Sequence, residues 1–431
     1  MKKLKLIFAA LLCGLALSLN AQIINIQASF YSEALDELRN VRVYLPGNYY
    51  SHPANLHYPV IYYLHGAYGD HNAMGGMLFM YQSLMATGDI EPAIMVSADN
   101  WVEPFGGSLY SNSILWGNFE DFMTEDLINW VDATFRTIPH KRARAFIGQS
   151  MGAIGAFRLT LRHKDKFSAF AANGTPMNFD LSIEKWTTGI KMENSGPPYT
   201  FSYAGGGSFT KIGFLFSGAA APNMNTPQTH INPAIVEYMW DENGELIDTV
   251  YQKIKLLDPI SLLHQTTIED SIGIIFCCGT NDDFLIYEAN AALADTLDAL
   301  GLPYEFYSHT GGHGMPQLFR QRALIFLDSL LMSPIQVNVG ITETTGFLNH
   351  MVIYPNPFTT HATIEFNLPQ TSLVSIQIFN AMGARVAELH HGQLPAGQQQ
   401  FTWHAGDLPK GMYFCRVQAG GNNAVVKVIK Q

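Results

Sequence analysis

The chain has 431 residues, 47% of them hydrophobic and 14% charged, with a formal net charge of -11 at pH 7. That is ample material for a large core and about two domains. The acidic balance argues against nucleic acid or an anionic membrane surface as partner and mildly favours neutral substrates over polyanions.

The first elements form a leader. Met1-Lys2-Lys3-Leu4-Lys5 is basic, Leu6 to Leu17 is almost wholly apolar, and Asn20-Ala21 supplies a small residue at a cleavage point. Residues 1–21 therefore read as a secretory signal peptide. Its loss removes three lysines, taking the charge from -11 to -14. Cys13 sits within the apolar run behind Leu12, a poor match to lipoprotein processing. No later run is apolar for long enough to be a membrane helix, so no integral membrane segment is expected in the exported chain. Cys277 and Cys278 are adjacent and Cys415 is remote, a pattern of structural thiols rather than a disulfide framework. No spacing suggests a zinc site.

Residues 22–332 alternate apolar strands with helical periodicity. Pro59 to Leu64 and Ala93 to Ser97 are buried strands. Phe119, Phe122, Met123, Leu127, Trp130, Val131 and Phe135 mark one face of a long helix. Arg144 to Ile147 is a strand, followed by a helix from Ala153 to Lys164, and Phe167 to Ala172 is a further strand. Asn178 to Leu256 breaks the rhythm. It is rich in Gly, Pro, Asn and Tyr, and its position makes it a candidate lid over a pocket; a plain surface insertion is the alternative. Ser271 to Cys278, a helix from Tyr287 to Leu300 stopped by Gly301, and Tyr304 to Ser308 repeat the unit. A last helix starts with Pro316 at a first helical position and runs to about Met332. The pattern predicts an α/β domain whose mostly parallel sheet carries helices on both faces.

From Ser333 the texture changes. A linker over 333–348 leads to 349–431, where short strands with period-two alternation are expected at 362–366, 373–379, 385–389, 400–403, 412–417 and 425–429. Asn380-Ala381-Met382-Gly383 and Leu394-Pro395-Ala396-Gly397 serve as turns, and His390-His391 as a solvated strand end. A small all-β, Ig-like sandwich is predicted. Five basic and four acidic residues follow Ser333, so the acidity belongs to the first domain.

The chemistry centres on Gly148-Gln149-Ser150-Met151-Gly152, placed between a strand and a helix. A serine on so abrupt a turn is forced outward, and the glycines let neighbouring backbones close in. Its hydroxyl needs a histidine to take the proton and a carboxylate to hold that histidine's tautomer. In such a sheet the order is Ser, acid, His, each on a loop at a strand's carboxyl end. Gly279-Thr280-Asn281-Asp282-Asp283 and Gly311-Gly312-His313-Gly314 supply both partners, one helix and one strand apart. Alone, Asp282 could cap the following helix and His313 could be an ordinary loop histidine; together with Ser150 they form a candidate catalytic set. Asp282 is preferred to Asp283, which would cap the helix or face solvent. The backbone N–H of Met151 is one candidate oxyanion donor. The other comes from His65-Gly66-Ala67-Tyr68-Gly69-Asp70, with Ala67 first and Tyr68 second, and His65 bracing the loop. Trp101, Trp116, Trp186, Tyr199 and Tyr203 could stack on a ring of a bound substrate, or could equally be core.

These segments, with Gly106-Gly107-Ser108 through Asn112-Ser113 to Gly117-Asn118-Phe119-Glu120-Asp121, resemble an esterase family of the α/β-hydrolase superfamily. That family includes esterase D, S-formylglutathione hydrolase, the feruloyl and acetyl-xylan esterases of carbohydrate esterase family 1, and the antigen 85 mycolyltransferases. The likeness spans most of Val41 to Leu331 and implies Ser150, Asp282 and His313 as triad and no cofactor. It implies a secreted serine esterase acting on a small-molecule or oligosaccharide ester, with feruloyl or acetyl groups on carbohydrate as the family's example. Alternatives are an acyltransferase of the same fold, a serine peptidase, and a non-catalytic surface carbohydrate-binding protein. Ala153-Ile154 departs from the glycine and aromatic common in relatives, which bears on pocket shape. Tyr354-Pro355-Asn356-Pro357-Phe358, Ile378-Phe379-Asn380, Leu408 to Phe414 and Lys427 to Lys430 resemble the type IX secretion sorting domain of Bacteroidetes. That likeness implies a partner in the secretion machinery and release or anchoring at the cell surface; an ordinary accessory sandwich is the alternative.

Overall fold

Val60–Leu64, Ile94–Ala98 and Ala169–Asn173 carry almost no polar side chains, and in the computed structural model each is a strand buried along its whole length. The structure describes residues 23–225, 235–337, 351–380, 384–419 and 422–431. The expected leader, most of the expected linker and residues 381–383 of one expected turn lie outside these. The chain divides into two units, Met1–Gln336 and Val337–Gln431.

In the first unit eight strands make one sheet: β1 (Ile24–Ser32), β2 (Glu37–Leu45), β3 (Val60–Leu64), β4 (Ile94–Ala98), β5 (Arg144–Gln149), β6 (Ala169–Asn173), β7 (Gly273–Gly279) and β8 (Glu305–His309). Their spatial order is β1-β2-β4-β3-β5-β6-β7-β8. The β1–β2 and β2–β4 pairs are antiparallel and every later pair is parallel. The helices are α1 (Gly75–Thr87), α2 (Leu127–Thr134), α3 (Met151–Arg162), α4 (Phe179–Glu193), α5 (Ser208–Ala220), α6 (Asp248–Lys255), α7 (Tyr287–Leu300) and α8 (Gln317–Leu330). Side chains of β3 alternate between two cores. Val60, Tyr62 and Leu64 join the core of α2, α3 and α7, whereas Ile61 and Tyr63 join that of α1 and α8. The first unit has the α/β-hydrolase fold.

Several expectations are corrected in detail. The long helix at 119–135 is interrupted: Phe119–Asp121 leads into a π-helical turn, Phe122–Asp126, before α2 begins. Buried Glu120 sits beside that turn and accepts hydrogen bonds from Arg162 Nε at 2.8 Å and His163 Nε2 at 2.9 Å. Burial alone would raise its carboxyl, but those hydrogen bonds and the Arg162 charge outweigh it and hold the group down to about 2. The strand expected at 167–172 starts at Ala169, and Phe167 ahead of it is buried in the core. Pro316 is the residue before α8, extended at ψ 154, rather than its first helical residue.

The stretch from Asn178 to Leu256 carries three helices, α4, α5 and α6, among its described residues. Its two ends are tied by Asp258, whose carboxylate accepts the N–H groups of Asn178 (3.0 Å), Phe179 (2.7 Å) and Ile260 (3.1 Å). Among the described residues no helix is long and apolar enough to cross a membrane.

The second unit is all-β. One antiparallel sheet holds β9 (Val352–Tyr354), β10 (His361–Leu368) and β13 (Gly397–His404). The other holds β12 (Arg385–Leu394), β11 (Ser372–Asn380), β14 (Gly411–Ala419) and β15 (Asn422–Lys430) in that order. Ile364, Trp403, Ile376 and Tyr413 belong to one core shared by both sheets. β12 continues past Leu389, so His390-His391 lies inside a strand and not at its end. Cys277, Cys278 and Cys415 are unpaired and buried.

Candidate active site

β5 delivers the chain to Ser150, whose φ of 55° and ψ of -118° are rarely adopted by a residue with a side chain. α3 starts at the next residue, so the chain reverses within one residue and the serine projects beyond the strand's carboxyl end. The two flanking glycines make the reversal possible. A Cβ on Gly148 would stand 2.0 Å from the carbonyl oxygen of Gly152, and one on Gly152 would stand 2.0 Å from that of Leu64. Ser150 N–H is held by the carbonyl of Asn173 at 2.9 Å.

The loop after β7 carries Asp282, whose side chain is wholly buried. Its Oδ1 accepts the N–H of Phe284 at 2.9 Å and its Oδ2 lies 2.8 Å from His313 Nδ1. A carboxylate accepts, so that bond places the imidazole proton on Nδ1 and leaves the Nε2 lone pair free. Among the described residues Nε2 has no hydrogen-bond partner. The ring stands edge-on to Phe284, with centroids 4.5 Å apart. Gly174, at φ 59°, lies against it: a Cβ there would come within 3.0 Å of His313 Cε1. Asp283 is exposed to solvent, as one of the two expectations had it, and its Oδ2 also accepts the backbone N–H of His313 at 3.3 Å.

The loop after β3 is fixed by its carbonyl groups. Gly66 O accepts His65 Nδ1–H at 2.9 Å and Gly69 N–H at 3.1 Å. In a trans peptide the C=O and N–H point opposite ways, so pinning Gly66 O turns the N–H of Ala67 in the other direction. His65 Nε2 accepts Asn100 N–H at 3.1 Å, which makes the ring neutral with its proton on Nδ1, and burial pushes its pKa down. Tyr68 gives its own N–H to Gly106 O at 2.7 Å and is thereby occupied. Met151 begins α3, where a backbone N–H has no partner within the helix.

Ser150, His313, Gly66, Ala67 and Met151 all line one cavity of about 250 Å3. Its remaining walls are mostly apolar: Leu109, Ile154 and Phe284 from the sheet side, and Ile212, Leu215 and Phe216 from α5. The sequence reading did not single out Asn173, Gly174, Phe284 or the α5 residues. Asn173 holds two of the loops at once, since its Nδ2 donates to His313 O at 3.2 Å while its carbonyl takes Ser150 N–H. An asparagine at a strand end has no sequence signature of that kind. The α5 face, by contrast, is readable from Ile212, Leu215, Phe216 and Ala219 at helical spacing. Of the five aromatic candidates, Trp186 and Tyr203 are buried, Trp116 packs on Phe105 and Tyr199 stacks on Phe201. Trp101 lies outside the cavity, half-buried beside Tyr68.

Comparison with known proteins agrees with this architecture. Residues 32–322 match the family described as "Putative esterase", and residues 352–431 match the secretion system C-terminal sorting domain. An endo-1,4-beta-xylanase/feruloyl esterase of Xylanibacter ruminicola is 31% identical over 168 residues, covering 37% of this chain and 23% of that protein. An esterase of Mycobacterium tuberculosis is 27% identical over 147 residues, covering 34% of this chain and 31% of its own length. The chain thus spans less than a third of the curated relatives it matches. Among solved structures, a ferulic acid esterase superposes with a TM-score of 0.50 at 18% identity, over 72% of this chain and 99% of the other. Matching the esterase family over two thirds of its length and a type IX sorting tail over the rest of its described C-terminal unit, the chain belongs to the esterase family of the α/β-hydrolase fold.

Proposed function

We propose that this chain is an exported serine esterase that cleaves carboxylic esters through an acyl-enzyme. Ser150 attacks the ester carbonyl, His313 Nε2 takes the hydroxyl proton and returns it to the departing alcohol, and Asp282 holds the imidazole in that tautomer. The negative charge that develops on the carbonyl oxygen is met by the N–H groups of Ala67 and Met151, each such donor being worth about 10²–10³ in rate. Water then releases the acid by the same proton path in reverse. The observation that carries the reading is His313: its Nδ1 is held at 2.8 Å by a buried carboxylate, its Nε2 makes no hydrogen bond among the described residues, and His313 and Ser150 line one cavity.

The apolar walls of the cavity suit an uncharged acyl group, with α5 of the 178–256 insertion as its lid. Acyl esters of carbohydrates, feruloyl or acetyl, are the substrate class in keeping with the xylanase/feruloyl esterase relative. The expected leader and the sorting tail fit passage through the type IX machinery to the outside of the cell.

Replacing Ser150 by Ala tests the catalytic reading. Hydrolysis of p-nitrophenyl acetate should fall by about 10⁴-fold or more, and a fluorophosphonate should label the parent at Ser150 alone. A variant as fast as the parent refutes it.

A further inference from the structure

His313 stands on the least self-supporting segment of the rim. Of its four nearest neighbours in the chain, Gly311, Gly312 and Gly314 carry no side chain to anchor the backbone. Gly311 N–H bonds the His309 ring at 3.0 Å. Among the described residues, every other hydrogen bond of residues 310–315 goes to the loop after β7 or to the end of β6. Asn281 gives its backbone N–H to Gly311 O at 3.1 Å and its side-chain amide to Thr310 O at 2.8 Å. The two segments lie in close contact, since a Cβ on Gly279 would stand 2.2 Å from Gly311 O.

His313 itself is held at three points. Asp282 takes the ring at Nδ1, 2.8 Å away. The main chain is gripped on both sides: its N–H donates to Asp283 Oδ2 at 3.3 Å, and its carbonyl accepts Asn173 Nδ2 at 3.2 Å. The bond to Asp282 fixes one atom of the ring, and a glycine-rich backbone behind it could still shift. The two main-chain bonds oppose that shift. Asn173, 1% exposed, also accepts Ser150 N–H on its own carbonyl at 2.9 Å, so one buried residue ties the base and the nucleophile to the same strand end.

We propose that Asn173 and Asp283 are positioning residues for the base, keeping His313 Nε2 in register with the Ser150 hydroxyl and with the departing alcohol. The proposal rests on the esterase reading above. Neither residue lines the cavity of Ser150 and His313, so each acts through His313. In acylation Nε2 takes the Ser150 proton as the new C–O bond forms, then gives it to the alcohol oxygen as the old C–O bond breaks. An alkoxide is a poor leaving group and needs that second transfer, whereas p-nitrophenolate departs without it. A base displaced by about 1 Å can cost on the order of 10²-fold. A loosened base therefore penalises an alkyl ester more than an aryl ester. An enzyme that is merely less stable, or partly unfolded, loses both alike.

The test compares ethyl acetate with p-nitrophenyl acetate, which share an acyl half, on the full-length enzyme with active sites counted by fluorophosphonate titration. Asn173→Ala should lower kcat/KM about a hundredfold on the ethyl ester and about tenfold on the p-nitrophenyl ester. Asp283→Ala should lower them about thirtyfold and about fivefold. Asp283→Asn, which keeps an acceptor oxygen for His313 N–H, should recover most of both losses. Asp283 is exposed, so its variants read the clamp should Asn173→Ala fail to fold. A fall equal on the two esters, or no fall, in either folded alanine variant overturns the positioning role while leaving the esterase intact. A parent inactive on every ester sinks the esterase reading, and the positioning role with it.

Discussion

The two units solve the burial problem in opposite ways. In the catalytic unit β3, β4 and β6 are buried at every residue, because helices cover both faces of a mainly parallel sheet. In the tail β10 and β14 alternate buried with exposed or half-exposed residues, as strands facing a core on one side only must. A sheet covered on both faces leaves only its strand ends open. The candidate residues Ser150, Asp282 and His313 accordingly stand at the carboxyl rim, on the loops after β5, β7 and β8. A sandwich instead presents the broad outer faces of its sheets to solvent, which suits recognition by another macromolecule.

If that division of labour is right, damage to the rim should silence one unit without loosening the other. The largest effect is expected for Asp282→Asn, which leaves His313 in the wrong tautomer. kcat should fall by about 10⁴-fold with the unfolding transition of the tail unchanged, as read by scanning calorimetry. The converse is Trp403→Ala. This side chain is 1% exposed and lies between Phe358 and Tyr413, so its loss should cost the tail about 3–5 kcal/mol. kcat/KM on p-nitrophenyl acetate should stay within about twofold; a large fall would mean that the two units are not independent.

Acid sharpens the contrast. The native carboxyl of Glu120 is held at about 2, below its ordinary 4.5, so its contribution is complete above pH 4.5 and is lost as the pH falls through about 2. On the order of 3 kcal/mol of the catalytic unit's stability should disappear across that window. Urea titrations at stepped pH measure it, and Glu120→Gln, already weaker at neutral pH beside buried Arg158, should flatten that segment of the curve. The smallest effect concerns the oxyanion loop. His65→Ala frees the Gly66 carbonyl and should lower kcat by about ten- to a hundredfold with KM little changed. His65→Asn, which keeps a donor near the Nδ1 position, should recover most of it. An effect on KM alone would mean that His65 does not orient Ala67.

Much of the catalytic unit can be read from its residues. The elbow at Ser150 needs only its glycines and the flanking strand and helix, all local in sequence. α7 runs from Tyr287 to Leu300 and stops at Gly301 with φ 65°, as its periodicity and cap foretell. α1 went unread although Met77, Met80, Tyr81 and Leu84 carry the helical spacing, because Gly75-Gly76 at its start reads as loop. The insertion is harder for a physical reason. Gly189, Gly213 and Gly218 lie inside α4 and α5, where glycine ordinarily argues against helix. Each sits under a ring, of Phe209, Trp240 and Trp116 respectively, that a Cβ would strike within 2.7 Å. Such positions are decided by packing between distant segments, which no local pattern records. The tie that Asn173 makes between the Ser150 and His313 loops is of the same kind, since it exists only because β6 lies between β5 and β7.

The tether at Asp258 has a consequence for how this enzyme could change its diet. One carboxylate gathers both stems of the 178–256 excursion, so the segment enters and leaves the sheet domain at a single knot. A segment exchanged between those stems would bring a new wall to the cavity that Ile212, Leu215 and Phe216 now line, while Ser150, His313 and Asp282 stay on their own loops. A graft that keeps the aspartate and replaces what lies between the stems is the natural starting point for re-targeting this scaffold.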